Sequence, residues 1–176
     1  MGSHQSQKMK ETDWLTPPEI LKALGPFDLD PCAPMNRPWD MAKHHFTPND
    51  NGLYQKWFGR VWCNPPYNSF TSKWLSKLYN HGNGIALIFA RTETEIFFTT
   101  VWKCADAILF IKGRLHFYNL DGVRAKQNAG APSALVAYGN ENAERLRNSG
   151  IAGIFINLKT EGIAHIESNK GYENSN

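Results

Sequence analysis

Apolar positions along the chain fall into two kinds of pattern. Segments near residues 27–30, 60–63, 85–90, 107–111, 133–138 and 151–158 predict strands, the continuous apolar run 85–90 a buried one, and 115–118 is a further candidate. Between them, apolar residues recur at helical spacing. Ile20, Leu21 and Leu24 form one stripe, and Phe70, Trp74, Leu75 and Leu78 form another. Thr16-Pro17-Pro18-Glu19 reads as a helix start, with Thr16 as N-cap, Pro17 at the first helical position and Glu19 closing a capping box; Gly25-Pro26 ends that helix. Residues 69–79, a segment opened by a Thr92/Glu95 capping box, and a segment capped by Asn140 and stopped by Gly150 predict three more helices. Residues 35–52 and 119–131 are polar, with Pro, Asn or Gly, and read as loops.

Strands alternating with helices predict an α/β protein with a mostly parallel sheet flanked by helices. Such sheets bind ligands beyond the carboxyl ends of their strands. Two strands run into unusual loops, Asp30-Pro31-Cys32-Ala33 and Asn64-Pro65-Pro66-Tyr67, so both loops are expected on one rim. We expect one domain over residues 13–167, with 1–12 an arm and 168–176 a tail.

Composition narrows the class. With 176 residues, 41% hydrophobic and 20% charged, the chain suits a single globular core. No apolar run approaches the roughly 20 residues that span a bilayer, and the opening MGSHQSQKMK lacks the apolar core of a secretory signal. Cys32, Cys63 and Cys104 form no CxxC pair, and an odd count argues against a disulfide framework; they read as small buried side chains in a cytoplasmic protein. His44-His45 has no companion at ligand spacing, so no metal site is expected. A net charge of +3 says little about partners by itself.

The Asn64 loop carries the chemistry. Two successive prolines remove two backbone donors and fix φ, which makes the loop stiff and leaves the Pro65 carbonyl free. Asn64 adds a side-chain carbonyl. Two fixed acceptors can hold both hydrogens of an amino group, and Tyr67 offers a flat face to the ring that bears it. These residue types also make ordinary surface turns, but an apolar strand leads directly into this one and a helix follows it.

In order along the chain stand W-x-T-P (Trp14 to Pro17), FDLDPCA, FTPNDNGL, W-x-x-R-x-W-x-NPPY, ART-x-T and GRLHF. This series, from about Trp14 to Tyr138, resembles the phage-type DNA N6-adenine methyltransferase (Dam) family. The resemblance implies a reduced Rossmann-like fold, S-adenosylmethionine as cofactor, DNA as partner, and methylation of an adenine flipped out of its stack. It makes Asn64, Pro65, Pro66 and Tyr67 the catalytic loop. Thr16, Pro17, Asp30, Pro31 and Ala33 would bind the cofactor, and Phe46, Asp50 and Leu53 would meet its adenosine. The chain departs from the family pattern in lacking a G-x-G after Asp30. Asp30, Asp40 and Asp50 therefore all stay candidates for the ribose.

A basic segment interleaved with aromatics, Lys112, Arg114, Phe117, Tyr118, Arg124 and Lys126, suits a phosphate-and-base surface, with Arg91 on the same rim. The oligomeric state stays open. Two other functions compete: methylation of a protein glutamine or an RNA base, which the same loop would suit, and a non-catalytic nucleic-acid-binding domain.

Overall fold

The computed structural model describes residues 14–159. The expected arm, the expected tail, and residues 13 and 160–167 of the expected domain lie outside them. The elements run α1 (Pro18–Leu24), β1 (Leu29–Asp30), β2 (His44–His45), β3 (Val61–Cys63), α2 (Thr71–His81), β4 (Gly84–Phe89), α3 (Glu95–Phe97) continuing into a π-helical turn (Phe98–Trp102), β5 (Ala107–Ile111), β6 (Ser133–Tyr138), α4 (Asn140–Arg147) and β7 (Gly153–Asn157). They build a seven-stranded sheet of order β2-β1-β3-β4-β6-β5-β7.

The sheet separates two cores, and the continuous apolar strands feed both. On β3 and β4, Trp62, Ile85 and Leu87 point to one layer, which packs Leu24 and Phe27 from the α1 region and Leu146 from α4. Val61, Cys63, Ala86 and Ile88 point to the other, against Leu75 and Leu78 of α2 and Phe97 and Val101. A period of two inside an unbroken apolar run is what a sheet covered on both faces requires.

The expectation of a mostly parallel sheet holds for half of it. β1 pairs in parallel with β2 and β3, and β3 with β4. β6 is inserted antiparallel between β4 and β5, and β7 lies antiparallel on the far side of β5.

Local signals also shift. Thr16 does not cap α1: Pro17 occupies that position without a side-chain bond, and Thr16 is buried with its hydroxyl unpartnered. Thr94, not Thr92, caps α3, accepting from the Phe97 N–H at 3.4 Å. Gly139, at φ 94°, takes the capping place expected of Asn140. Phe70 stands before α2 and is 48% exposed, so it does not join that helix's buried face. Residues 115–118 form no strand. Instead Tyr118 pairs with Leu15 through two backbone bonds of 2.9 and 3.1 Å, clamping the segment that leads into α1. Residues 35–52, expected as loop, contain the two-residue strand β2.

Candidate active site

β1 and β3 are neighbours, and their carboxyl ends deliver the Asp30 and Asn64 loops to the same rim. Between the loops lies a cavity of about 230 Å³. Trp14 and Thr16 line it from the leading segment, Asp30 to Pro34 from the first loop, and Asn64 to Tyr67 from the second. Thr47, Pro48, Asn51 and Gly52 close it from the loop between β2 and β3, while Met41, Trp62 and Trp74 complete its walls. Gly52 allows that closure: a Cβ there would stand 1.9 Å from the Pro31 carbonyl oxygen.

The Asn64 amide is oriented by one bond. Its Nδ2 donates to the Trp14 carbonyl at 3.0 Å, and its Oδ1 is buried with no donor among the described residues. The stiff loop is tied to α2 through the Pro66 carbonyl, which accepts from Asn68 N at 3.0 Å and Thr71 Oγ1 at 2.8 Å. No described donor bonds the Pro65 carbonyl. Tyr67 is preorganised too. Its ring stacks on Phe89 at 4.0 Å and 13°, and its hydroxyl donates to the Leu87 carbonyl at 3.3 Å. Burial of that hydroxyl drives its pKa up, so the phenol stays neutral. The residue remains 37% exposed, which leaves ring surface open beside the cavity.

Asp30 is 2% exposed, and burial pushes its carboxyl up to about 7, against a backbone bond from Cys32 N to Oδ1 at 3.0 Å. Cys32 sits with its Sγ 3.9 Å from that of Cys63, and this contact, then burial, raises the Cys32 thiol well above the ordinary range. Cys63 is fully buried, whereas Cys32 reaches the cavity wall.

Seven buried side-chain polar atoms among the described residues lack a hydrogen-bond partner, and four belong to residues lining this cavity: Trp14 Nε1, Thr16 Oγ1, Trp62 Nε1 and Asn64 Oδ1. Each such group costs about 1–3 kcal/mol. A cluster of them beside one cavity fits a bound polar molecule. The buried carboxyl of Asp30 and the absence of any Lys, Arg or His among the lining residues suit a ligand that brings its own positive charge. The donor set therefore fits S-adenosylmethionine, which carries an ammonium and a sulfonium.

Among the residues expected to bind the cofactor, Thr16, Asp30, Pro31 and Ala33 line the cavity. Pro17 is buried at the head of α1 and does not. Phe46 buttresses the first loop through its backbone, donating to the Asp30 carbonyl at 2.8 Å and accepting from Ala33 N at 3.0 Å. Asp50 is exposed and spends its carboxylate on the Thr47 N–H and hydroxyl, at 2.8 and 2.7 Å. Asp40 is likewise outside the cavity, paired with Arg37 at 3.1 Å. Leu53 lines a more open neighbouring groove that meets the cavity at Asn51, Pro66 and Trp74. Trp14, Thr47, Asn51, Gly52 and Trp62 were not singled out from the sequence. Trp14 and Trp62 stand in the W-x-T-P and W-x-NPPY signatures, but a tryptophan beside an apolar run reads as core.

Of the residues expected to meet nucleic acid, Arg91, Lys112, Arg114, Arg124 and Lys126 are exposed, and Arg114 braces its loop by donating to the Ala129 carbonyl at 3.0 Å. Phe117 is not on that surface. It is 3% exposed and part of the core, and Tyr118 packs edge-on against Trp39 at 5.3 Å. The loop thus presents cations outward and keeps its aromatics for packing.

The carboxyl rim of a half-parallel α/β sheet thus holds a polar-walled cavity and a proline-stiffened acceptor loop. The family model of the DNA N-6-adenine-methyltransferases (Dam) matches residues 2–150, and the chain belongs to this family. No curated protein and no solved structure matches it. Among the described residues no helix is long and apolar enough to cross a membrane.

Proposed function

We propose that the protein transfers the methyl group of S-adenosylmethionine to the N6 amine of an adenine in DNA, with the target base held at Asn64 and Tyr67. The observation that carries this is the Asn64 amide: pinned at Nδ2 by the Trp14 carbonyl, it keeps a buried Oδ1 without a donor. A buried acceptor left unmade awaits a hydrogen. The N6 amine brings two, and the Pro65 carbonyl can take the second.

The amine of adenine is a weak nucleophile because its lone pair is delocalised into the ring. Accepting both hydrogens at Asn64 Oδ1 and Pro65 O draws that lone pair out of conjugation and fixes its direction. Such catalysis is positioning and electrostatics. Tyr67, itself backed by Phe89, receives the flipped ring; stacking returns about 1–3 kcal/mol of the few spent on extrusion. Asp30, Thr16, Pro31 and Ala33 would hold the cofactor, whose sulfonium would supply the methyl group and leave as the neutral thioether of S-adenosylhomocysteine, the proton displaced from N6 passing to solvent. Arg91, Lys112, Arg114, Arg124 and Lys126 meet the phosphates.

Transfer of labelled methyl from S-adenosylmethionine to DNA, followed by nucleoside analysis, tests this. Label in N6-methyladenine is the expected result. Label confined to protein or RNA overturns it.

A further inference from the structure

We propose that the groove beside the cavity, between the turn at 51–55 and α2, binds a nucleotide of the target strand next to the flipped adenine, with Tyr54 and Phe70 as stacking surfaces and Lys73 as its phosphate contact. The assignment rests on the DNA function proposed above. It gives the target strand a second surface, separate from Arg91 and the cations of 112–126.

The groove, of about 860 Å³, meets the cavity at Asn51, Pro66 and Trp74, so it continues directly from the acceptor loop. Its walls are fixed. Lys77 of α2 donates from Nζ to the Leu53 and Gln55 carbonyls, both at 2.6 Å, and Trp57 Nε1 donates to the Gly52 carbonyl at 2.8 Å. The rings on those walls nevertheless stay open to solvent: Tyr54 is 82% exposed and Phe70 48%. Two large rings held in water along one groove form a contact surface, unlike apolar residues scattered singly.

Charge selects the occupant. Lys73 and Lys77 are the charged residues that line the groove, and no Asp or Glu stands with them. Lys77 is engaged by the two carbonyls. Lys73 is exposed, with its Nζ 4.8 Å from the centre of the Phe70 ring. A cation and a ring so paired match a phosphate and the base it carries. The cationic cofactor is not matched in this way: a lysine repels its sulfonium, and the groove offers its ribose no carboxylate.

Fluorescence anisotropy with labelled oligo-dA about 12 nucleotides long, alone and annealed to oligo-dT, tests the assignment. Tyr54→Ala and Phe70→Ala are each expected to weaken binding by about 5- to 100-fold, and Tyr54→Phe should keep the wild-type affinity. Lys73→Ala should make the dependence of log affinity on log salt shallower by about 0.7 to 0.9, and Lys73→Arg should not. Tyr79, exposed on α2 but outside the groove, is the control, and Tyr79→Ala should change neither readout. Calorimetry with S-adenosylhomocysteine should give the same affinity in every variant. Unchanged DNA affinity in Tyr54→Ala and Phe70→Ala overturns the assignment. So does a loss of S-adenosylhomocysteine affinity, which would give the groove to the cofactor. Either result leaves the methyl-transfer function standing, whereas wild-type protein that binds neither form of DNA refutes that function, and the groove assignment with it.

Discussion

The sheet has two halves of different build. On the side of the cavity, β1 and β2 are two residues long and β3 three, all parallel, and each runs into a loop. On the other side, β4 to β7 are five or six residues long and pair antiparallel across β6 and β5. The long ladders hold fully buried residues from Ala134 to Val136, whereas the short strands end among unpartnered polar atoms. The two halves thus differ in role: the antiparallel half supplies the long buried ladders, and the parallel half carries the cavity and most of the unpartnered polar atoms around it. Arg60 joins the halves, donating through Nε to Asn142 Oδ1 of α4 at 2.6 Å and through Nη1 to the Leu24 carbonyl at 2.6 Å.

The largest effect expected from this division is on folding. Leu135, fully buried at the middle of β6, has no access to the cavity. Leu135→Ala is expected to cost about 2–5 kcal/mol in denaturant unfolding, with unchanged affinity for S-adenosylhomocysteine below the transition. A selective loss of affinity instead would show that the halves are not separable.

Asn64→Ala should do the reverse. It removes an unpartnered acceptor and one exchangeable hydrogen bond, so its cost in stability is about 1 kcal/mol or less. Turnover should fall by roughly 10²–10³, the scale of losing one preorganised transition-state contact. Cofactor affinity, read by calorimetry, should hold. Loss of that affinity would place Asn64 in the cofactor site rather than opposite the amine.

How much of this was legible beforehand differs between the same two halves. β3, β4 and β6 announced themselves as apolar runs, and α2 through Trp74, Leu75 and Leu78. Their direction did not, because an apolar run reads identically parallel or antiparallel. β2 carried no apolar signal at all, its two histidines being exposed or half-buried. In the site, the Asp30 and Asn64 loops were legible because each is contiguous. Asn51 and Gly52 were not, since their place on the wall comes from a loop folding back over Pro31. Phe117 was misread as a surface aromatic among cations. Arg114 is exposed, whereas Leu115, Phe117 and Tyr118 all pack against the core, so the aromatics go with the apolar residues of the segment and not with its cations.

The Tyr67 and Phe89 stack bridges the two halves, since Phe89 ends β4. Tyr67→Ala should weaken engagement of the target strand by about 1–3 kcal/mol, the worth of one base–aromatic contact. Phe89→Ala leaves the ring of Tyr67 in place but unsupported, and a smaller loss in the same assay is expected. Equal losses would mean that Phe89 itself meets the base.

The smallest expected effect concerns a single proton. Burial holds the Asp30 carboxyl at about 7, above its ordinary 3.8, so the folded protein keeps a proton that the unfolded chain releases between those values. Stability contributed this way is present below about pH 4 and is lost as pH rises toward 7. Without ligand, the unfolding free energy should therefore decline across that window, and Asp30→Asn should flatten the decline. A bound ammonium reverses the preference, because it favours the ionised carboxylate. At pH 7, where the group is near half-protonated, cofactor binding should release about half a proton, measured as the dependence of the calorimetric enthalpy on buffer ionisation heat. In Asp30→Asn that dependence should vanish. Proton uptake on binding, or a wild-type signal that survives the substitution, would separate Asp30 from the cationic end of the ligand and leave the parallel half without its one charge-matching group.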